Sequence, residues 1–392
     1  MKGRVIVLTA LVLAGAAADA VPRLVLDGWD DPRLVGALSN RAELVKRFDL
    51  MYVVVAKEGQ TLTVVDVPGY SRASFAGDSG ILPEIGRRCR SVGMKWYAMC
   101  DMLTRSPSQP GDSPMPLEMP LVTGRHVIGR REASYVSPFA ASTRSALTSL
   151  VAGWSRWAEA PSGLALGLHL ARSNILGYSE AARGAYIRDV GRDPIDLRWP
   201  DEIAAWSLWR ERKLTEVMQE LVGTYRAKHP NTPVSVLGTG DLPIRSAEAR
   251  CASADNWLGW LESGLADDVI LDASWEPPAT GRIWDTLRQL SATRLQASGK
   301  SFLGTSDGPL SRLRPLVRTV QRPPVLEPFN SKPVPPTPPL TIEAQISTLR
   351  EAGAPIENAV YYPQSIEELD QVLKLLDKQA GSTKPGGAEF KR

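Results

Sequence analysis

The chain has 392 residues, of which 43% are hydrophobic and 23% are charged. This composition is that of a folded globular protein and excludes bulk disorder. The formal net charge of +3 at pH 7 provides no strong positive field of the kind that nucleic-acid binding requires. Three cysteines are too few for a disulfide framework, although one pair could still bridge, and three histidines disfavour a histidine-rich metal site. We therefore expect no cofactor, no bound metal and no nucleic-acid partner.

The first twenty residues have the pattern of a secretory signal peptide. Lys2 and Arg4 precede an apolar stretch over 5–18, and Ala18-Asp19-Ala20 forms a small-x-small cleavage site. The apolar stretch is shorter than the roughly 20 residues that span a bilayer, which disfavours the alternative of a membrane anchor. We expect cleavage after residue 20 and a mature chain that has no membrane span and is secreted or periplasmic.

Eight short apolar runs follow, and most of them are separated by helical patterns. Apolar runs without strict alternation indicate strands that are buried on both faces, as in a parallel sheet. The predicted strands cover 23–27, 50–56, 95–101, 164–170, 233–237, 268–274, 301–305 and 359–362.

Helical patterns with recognisable starts and stops occupy most of the segments between these runs. The predicted helices cover 83–92, 142–158, 201–229, 254–261, 282–297, 341–352 and a last helix that is capped by Ser365 and Glu368 and ends near residue 379.

Repeated alternation of strand and helix implies parallel pairing with right-handed crossovers. Eight such units predict an α/β fold of the (β/α)8 TIM-barrel type over residues 21–379, with long loops on its carboxyl-end face. The alternative architecture is an open doubly wound sheet. That fold usually has a Gly-rich phosphate turn after a strand, and none of the eight runs is followed by one.

Three long segments follow predicted strands. Two of them are 102–141 and 171–200, and the third is a basic and then Pro-rich insertion at about 308–340. The Pro-rich part is interpreted as a stiff lid or spacer in preference to a docking motif. Residues 380–392 are predicted to be a disordered tail.

Polar residues at the carboxyl ends of barrel strands face the pocket of a TIM barrel, so we collect those residues as candidates. They are Asp27, Trp29, Asp101, His169, Arg172, Asp272, Trp275, Glu276 and Asp307. Tryptophan faces stack on the C–H surfaces of sugar rings, carboxylates bind hydroxyls, and a pair of carboxyl groups catalyses glycoside hydrolysis. The set therefore indicates a carbohydrate site.

Several of these residues also have a purely structural interpretation. Asp27 and Asp101 are suited to capping a turn, and His169 is suited to a core position. Asp272 lies within an apolar run, where an ionised carboxylate needs a partner such as Arg172 or Arg210. The acidic pairs at 30–31 and 267–268 are interpreted as turn residues without a metal site. The tryptophan pairs at 206 and 209 and at 257 and 260 are interpreted as core.

Two stretches resemble the bacterial glycosyl-hydrolase-like-10 family. Trp206, Trp209, Arg210 and Thr215 match a "W..WR…T" helix, and residues 255–270 are similar to the segment that leads into the sixth strand of that family. The resemblance is clear over about 138–276. It implies a TIM barrel outside the cytoplasm that acts on glycosidic bonds, with cell-wall glycans as a substrate class.

The residues after the fourth run depart from this family. His169 is kept from the pattern "H.DDY.YP", but Ala171 and Arg172 replace both acids. Neither side chain can donate a proton at working pH. We therefore expect Asp272, with Glu276 or Asp101, to supply the acid and the base.

The six other candidates are predicted to bind substrate; they are Asp27, Trp29, His169, Arg172, Trp275 and Asp307. The resulting hypothesis is a secreted glycoside-hydrolase-like protein that binds and hydrolyses a polysaccharide such as cell-wall glycan. The alternative is a catalytically inactive carbohydrate-binding or scaffold barrel that has lost the acid pair after the fourth strand. Hydrolysis of a non-sugar substrate by a bound metal is a third, weaker hypothesis.

Overall fold

Eight parallel strands close on themselves into a barrel in the computed structural model of the chain. They are β1 (Arg23–Leu26), β2 (Leu50–Lys57), β3 (Lys95–Asp101), β4 (Gly163–Gly167), β5 (Val234–Thr239), β6 (Asp268–Asp272), β7 (Leu313–Val317) and β8 (Val360–Tyr361). Each strand pairs in parallel with the next, and β1 pairs with both β2 and β8. The closure confirms the predicted TIM barrel and rules out the open doubly wound sheet.

The structure describes the chain with several gaps. The described residues are 22–40, 44, 47–62, 67–76, 81–105, 115–117, 134–168, 177–239, 256–272, 284, 312–318, 341–351 and 353–382. The predicted signal peptide, most of the Pro-rich insertion and most of the predicted tail lie outside them. The first three residues of that tail, 380–382, are helical. Among the described residues, no helix is both long enough and apolar enough to cross a membrane.

Helices surround the barrel in the order that the alternation predicts. They are α1 (Pro32–Asn40), α2 (Ile81–Ser91), α3 (Ala141–Trp154), α4 (Glu180–Val190), α5 (Pro200–Arg226), α6 (Trp257–Glu262), α7 (Ile342–Glu351) and α8 (Ile366–Ser382). Six of them confirm predicted helices, and α1 and α4 are additional. The predicted helix at 282–297 lies outside the described residues except for Trp284.

The two additional helices begin at side-chain caps. The Asp31 carboxylate accepts a hydrogen bond from the Arg33 backbone N–H at 2.9 Å, and Pro32 occupies the first turn of α1. The Ser179 hydroxyl accepts from the Ala182 backbone N–H at 3.3 Å at the start of α4. Asp31 is therefore a capping residue, in agreement with its interpretation as a turn acid.

The seventh strand differs from its prediction. The strand between β6 and β8 is β7, which pairs with both of them and lies inside the segment that the sequence assigns to the insertion. The predicted strand at 301–305 lies outside the described residues. Arg314 and Pro315 interrupt the apolar pattern of β7, and for this reason the run does not resemble a buried strand.

Two apolar cores hold the barrel together. The larger lies between the outer faces of the strands and the helices, and it includes Leu24, Val53, Trp154, Leu221 and Trp257. The smaller fills the barrel interior, where Val25, Tyr52, Met99, Ile270 and Val360 are buried. Opposite faces of each strand thus contribute to different cores, so the interior positions follow a period of two.

Candidate functional site

Interior side chains at mid-height of the barrel form an apolar layer. The members of this layer are Val25, Val54, Met99, Ala165, Leu237, Ile270, Leu316 and Val360. Because successive side chains alternate between the two faces of a strand, residues two positions further along the chain point into the carboxyl-end opening, which we call the mouth. These residues include Asp27, Asp101, Asp272, Arg318 and Tyr362.

A β-bulge adds a cation to the mouth. The pairing of β2 with β3 shifts register between Val54 and Ala56. Val54 packs in the barrel interior, whereas Val55 and Ala56 both pack in the outer core. The irregularity therefore turns Lys57 inward, although strict alternation would turn it outward. Re-aiming one side chain in this way is a recognised effect of bulges.

Asp27 is the most enclosed acid of the mouth. Its carboxylate is fully buried and accepts hydrogen bonds from the Trp29 backbone N–H at 2.9 Å, from Lys57 Nζ at 2.8 Å and from the Tyr362 hydroxyl. Lys57 Nζ also donates to Asp30 Oδ1 at 2.7 Å. Two acids, a lysine and a tyrosine thus form one polar cluster, and three donors compensate the buried carboxylate.

The cluster changes the acidity of its members. Burial and the charge of Asp27 raise the pKa of Asp30 above its usual value, although Lys57 opposes both. Burial acts to lower the pKa of Lys57, but Asp27 and Asp30 raise it overall. Burial, together with the charges of Asp27 and Asp30, raises the pKa of Tyr362 well above its usual value. Lys57 is therefore a persistent cation, and Tyr362 is a persistent hydrogen-bond donor.

Asp272 occupies the mouth at the end of β6. Arg318, which directly follows β7, donates from Nη2 to Asp272 Oδ2 at 2.7 Å. The Arg318 backbone N–H donates to the Gln345 side-chain oxygen at 2.9 Å, and the Gln345 amide donates back to the Arg318 carbonyl. The sequence predicts Arg172 or Arg210 as the partner of Asp272, and the structure shows Arg318 in that role.

Trp29 lies at the rim of the mouth beside the Asp27 cluster. Its indole N–H donates to the Gln60 side-chain oxygen at 2.8 Å, and its ring meets Phe75 edge to face at a centroid distance of 5.2 Å. Gln60 belongs to a short strand that extends β2 as a hairpin beyond the barrel. The half-buried indole is therefore held in a fixed orientation, as a stacking surface requires.

The amino-terminal end of the barrel holds a second polar group. Asp268 Oδ2 accepts from Arg23 at 2.7 Å and from Arg314 at 3.0 Å, and the Tyr52 hydroxyl accepts from Arg23 at 2.5 Å. Burial acts to raise the pKa of Asp268, but the two arginines hold it below its usual value. Asp268 is thus a buried ion-pair residue of β6, which corrects its interpretation as a turn acid.

The described residues contain no group of three or more His, Cys, Asp or Glu side chains that could hold a metal ion. The polar side chains of the mouth instead pair acids with cations and a phenol. This arrangement is chemically suited to binding hydroxyl groups.

A family model agrees with this architecture. The model described as "Glycosyl hydrolase-like 10" matches residues 94–302, which is more than half of the 392 residues. The chain belongs to the glycosyl hydrolase-like 10 family. The match confirms the resemblance and extends from β3 past β6.

Solved structures show the same fold. The glycoside hydrolase domain of PgaB (BpsB) from Bordetella bronchiseptica is 17% identical, with a TM-score of 0.60 over 91% of this chain and 97% of that chain. A beta-galactosidase from Rahnella sp. R3 is 11% identical, with a TM-score of 0.54 over 94% of this chain and 57% of that one. A beta-galactosidase from Marinomonas ef1 is 12% identical, with a TM-score of 0.51 over 92% and 60%. A comparison with curated proteins finds no match.

The glycosyl hydrolase-like 10 barrel brings together four of the predicted site residues. Asp27, Trp29, Asp101 and Asp272 all lie at the mouth. Asp101 ends β3, where it is in register with Gly167 of β4. The other five candidates lie outside the described residues; they are His169, Arg172, Trp275, Glu276 and Asp307. Of these, Asp307 precedes the observed β7, so the reasoning that placed it at the carboxyl end of the seventh strand loses its basis.

Sequence reasoning missed four polar residues of the mouth. Lys57 was not predicted because its inward direction depends on the bulge. Asp30 was not predicted because it lies in a turn next to another acid. Arg318 follows a strand that was not predicted. Of the four, Tyr362 could have been predicted from the sequence, because it ends a predicted strand two positions after the buried Val360.

Proposed function

We propose that the chain is an exported protein that binds a polysaccharide at the mouth of its barrel and hydrolyses it. The observation that carries this proposal is the layer of acids at the mouth, where Asp27, Asp101 and Asp272 point inward next to Trp29. Membership in the glycosyl hydrolase-like 10 family supports the carbohydrate substrate, and the predicted signal peptide supports export.

Each part of the mouth has a task in this proposal. Trp29 stacks on a sugar ring, and the Asp27 cluster binds its hydroxyls. Asp272, held by Arg318, accepts a proton or stabilises the positive charge that develops on the sugar ring in the transition state. Asp101 or Glu276 supplies the partner carboxyl group. Cell-wall glycan is the substrate class that we propose.

A second function is favoured by one specific observation. Ala171 and Arg172 replace the two acids that the family pattern has after the fourth strand, and neither can act as a general acid. A barrel that binds glycan without cleaving it would retain the aromatic and hydroxyl-binding side chains and would lack a proton donor at this position. This alternative shares the binding site and differs in catalysis alone.

The two functions separate in one experiment. The purified mature protein is incubated with bacterial sacculi, chitin, cellulose and xylan, and both the release of reducing ends and binding are measured. Binding together with new reducing ends supports hydrolysis, and binding without new reducing ends supports the inactive barrel. Absence of binding to all four glycans contradicts both. Trp29→Ala removes the proposed stacking surface and should therefore lose binding.

A further inference from the structure

Part of the chain projects beyond the barrel on the side of the mouth. Helix α5 has 27 residues and is about 40 Å long, whereas the five residues of β4 span about 17 Å. The Tyr225 hydroxyl near the end of α5 donates to the Pro161 carbonyl at 2.7 Å, just before β4 begins. The excess length of α5 therefore lies at its amino-terminal end, beyond the carboxyl ends of the strands. We call residues 177–212 the β4–α5 projection.

The β4–α5 projection has a core of its own. Trp206 and Trp209 stack at a centroid distance of 5.0 Å, and Tyr186 of α4 meets both rings edge to face. Its buried residues form a cluster distinct from the two cores of the barrel, and Phe139 packs against both this cluster and the larger core. The Trp209 indole N–H donates to Asp189 Oδ2 at 2.9 Å, which fastens α4 to α5. The projection is thus a packed unit and not a loose loop.

Trp199 stands at the outer end of this unit. Trp199 is 66% exposed, which is the largest exposed fraction among the large hydrophobic residues of the described part of the chain. Residue 199 directly precedes α5, so it lies about 20 Å beyond the carboxyl end of β4, given a rise of about 1.5 Å per helical residue. An exposed tryptophan at the end of a packed projection has no role in the cores that stabilise the fold.

Hydrogen bonds and ion pairs fix the backbone that carries this ring. Glu202 Oε2 accepts from the Trp199 backbone N–H at 3.2 Å and from the Arg198 backbone N–H at 3.0 Å, and Glu202 also pairs with Arg192. Upstream, Asp193 accepts from Arg183 at 2.5 and 3.1 Å. The ring is therefore presented from a preorganised segment, which reduces the entropy lost when a ligand binds.

The surroundings of Trp199 decide between classes of ligand. Arg198, Pro200 and Asp201 next to it are exposed. The exposed aliphatic side chains of the projection are Ile187, Val190, Ile195, Ile203 and Leu208. A stable protein interface needs about 800 Å² from each partner and a desolvated apolar centre. A flat ring flanked in the chain by Arg198 and by Asp201 places a stacking face beside hydrogen-bonding groups. This combination fits a sugar, because a sugar offers a C–H face surrounded by hydroxyls.

We propose that Trp199 is a remote stacking site for the same polysaccharide that occupies the mouth. The inference rests on the proposed function, since it assigns a second contact to that ligand. A polymer long enough to leave the mouth along the projection reaches Trp199, whereas a trisaccharide bound at the mouth does not. The site therefore gives the protein a preference for long chains.

The test compares two lengths of one glycan. The glycan used is the one that binds wild type most tightly among sacculi, chitin, cellulose and xylan. Binding of this polymer and of the corresponding trisaccharide is measured by titration for wild type, Trp199→Ala and Leu208→Ala. Leu208 is the matched control, because it is 48% exposed and lies about half a turn away around α5. Trp199→Ala should weaken polymer binding about five- to tenfold and leave trisaccharide binding unchanged, whereas Leu208→Ala should change neither.

Other results overturn the inference in distinguishable ways. Equal affinity of the wild type for polymer and trisaccharide, or unchanged polymer binding by Trp199→Ala, removes the remote site and leaves the proposed function intact. Equal weakening of both ligands places Trp199 in the mouth instead. A change of molar mass by light scattering in Trp199→Ala without glycan assigns the ring to a protein contact. If wild type binds no glycan, the proposed function is wrong, and this inference is wrong as well.

Discussion

Asp272 combines an inward position at the mouth with an ion pair to Arg318 at 2.7 Å. The arginine is itself held by Gln345 of α7 through its backbone. The carboxylate at the end of β6 is therefore held by one neighbouring unit of the barrel, β7 with α7. Such support is what a catalytic carboxylate needs, since its task depends on a defined position relative to the sugar.

Replacement of Asp272 by asparagine tests its catalytic role. Asp272→Asn keeps the shape of the side chain and removes its ability to exchange a proton, so we expect turnover to fall by about 10²–10⁴-fold while glycan binding persists. The release of reducing ends and a binding titration measure the two effects. Asp196→Asn, on an exposed residue, is the control. Hydrolysis at full rate by Asp272→Asn would show that the assignment is wrong.

Asp268 at the opposite end of the barrel predicts a pH dependence of stability. Its pKa is lower in the folded chain than its usual value, so its contribution is present above about pH 4 and is lost as pH falls through the folded pKa. Asp268→Asn leaves Arg23 and Arg314 without their buried partner and should lower the free energy of unfolding by about 3–5 kcal/mol at pH 7.

Denaturant unfolding at pH 7 and at about pH 3 measures this effect. The difference between wild type and Asp268→Asn should be large at pH 7 and should shrink at the lower pH. The exposed Asp196→Asn again serves as the control. A constant difference at both pH values would contradict the assignment of the low pKa to Asp268.

At the level of single residues, sequence identified the acids of the mouth better than it identified their partners. Asp27, Asp101 and Asp272 follow from one rule, because each lies at the carboxyl end of a predicted strand. Lys57 does not follow, since its inward direction depends on a bulge that leaves no signal in the run LMYVVVAK. The pairing of Asp272 with Arg318 depends on the location of β7, which the sequence placed too early.

Among the secondary-structure elements, periodicity predicted the strands that are continuous apolar runs. It failed at β7, where Arg314 points into the barrel to bind Asp268 and breaks the apolar pattern. At functional or ion-paired positions of this kind, the local sequence pattern often fails to predict the secondary structure that the fold imposes. Helix α4 was missed because its buried face is short, with Ala182 and Tyr186 as its buried residues.

The β4–α5 projection should unfold independently of the barrel. Trp206 is almost fully buried in its separate core, and loss of a large core side chain costs about 3–5 kcal/mol. Trp206→Ala should therefore speed backbone amide exchange in α4 and in the first turns of α5 and leave that of β1 to β4 unchanged. Amide exchange measured by mass spectrometry checks this, with the exposed Trp199→Ala as control. Equal acceleration in the barrel strands would contradict the separation of the two units.

For the whole molecule, closure of the barrel is what gives the scattered acids a common location. Asp27, Asp101 and Asp272 are far apart in sequence, yet each lies at the carboxyl end of a different strand and at the same opening. The family match and the solved structures agree with this fold. The polar cluster around Asp27 and the rigid Trp29 then make that opening the place where we expect a glycan to bind.

Mapping a bound glycan onto the chain tests this central claim most directly. Hydrogen exchange of the Asp272→Asn variant is measured with and without the trisaccharide of the glycan that binds best. We predict slower exchange at backbone amides of residues 28–31, 101–105 and 318, which surround the mouth. Protection confined to the amino-terminal end of the barrel, around residues 234–235 and 268–269, or to the outer faces of α3 and α5, would contradict the account.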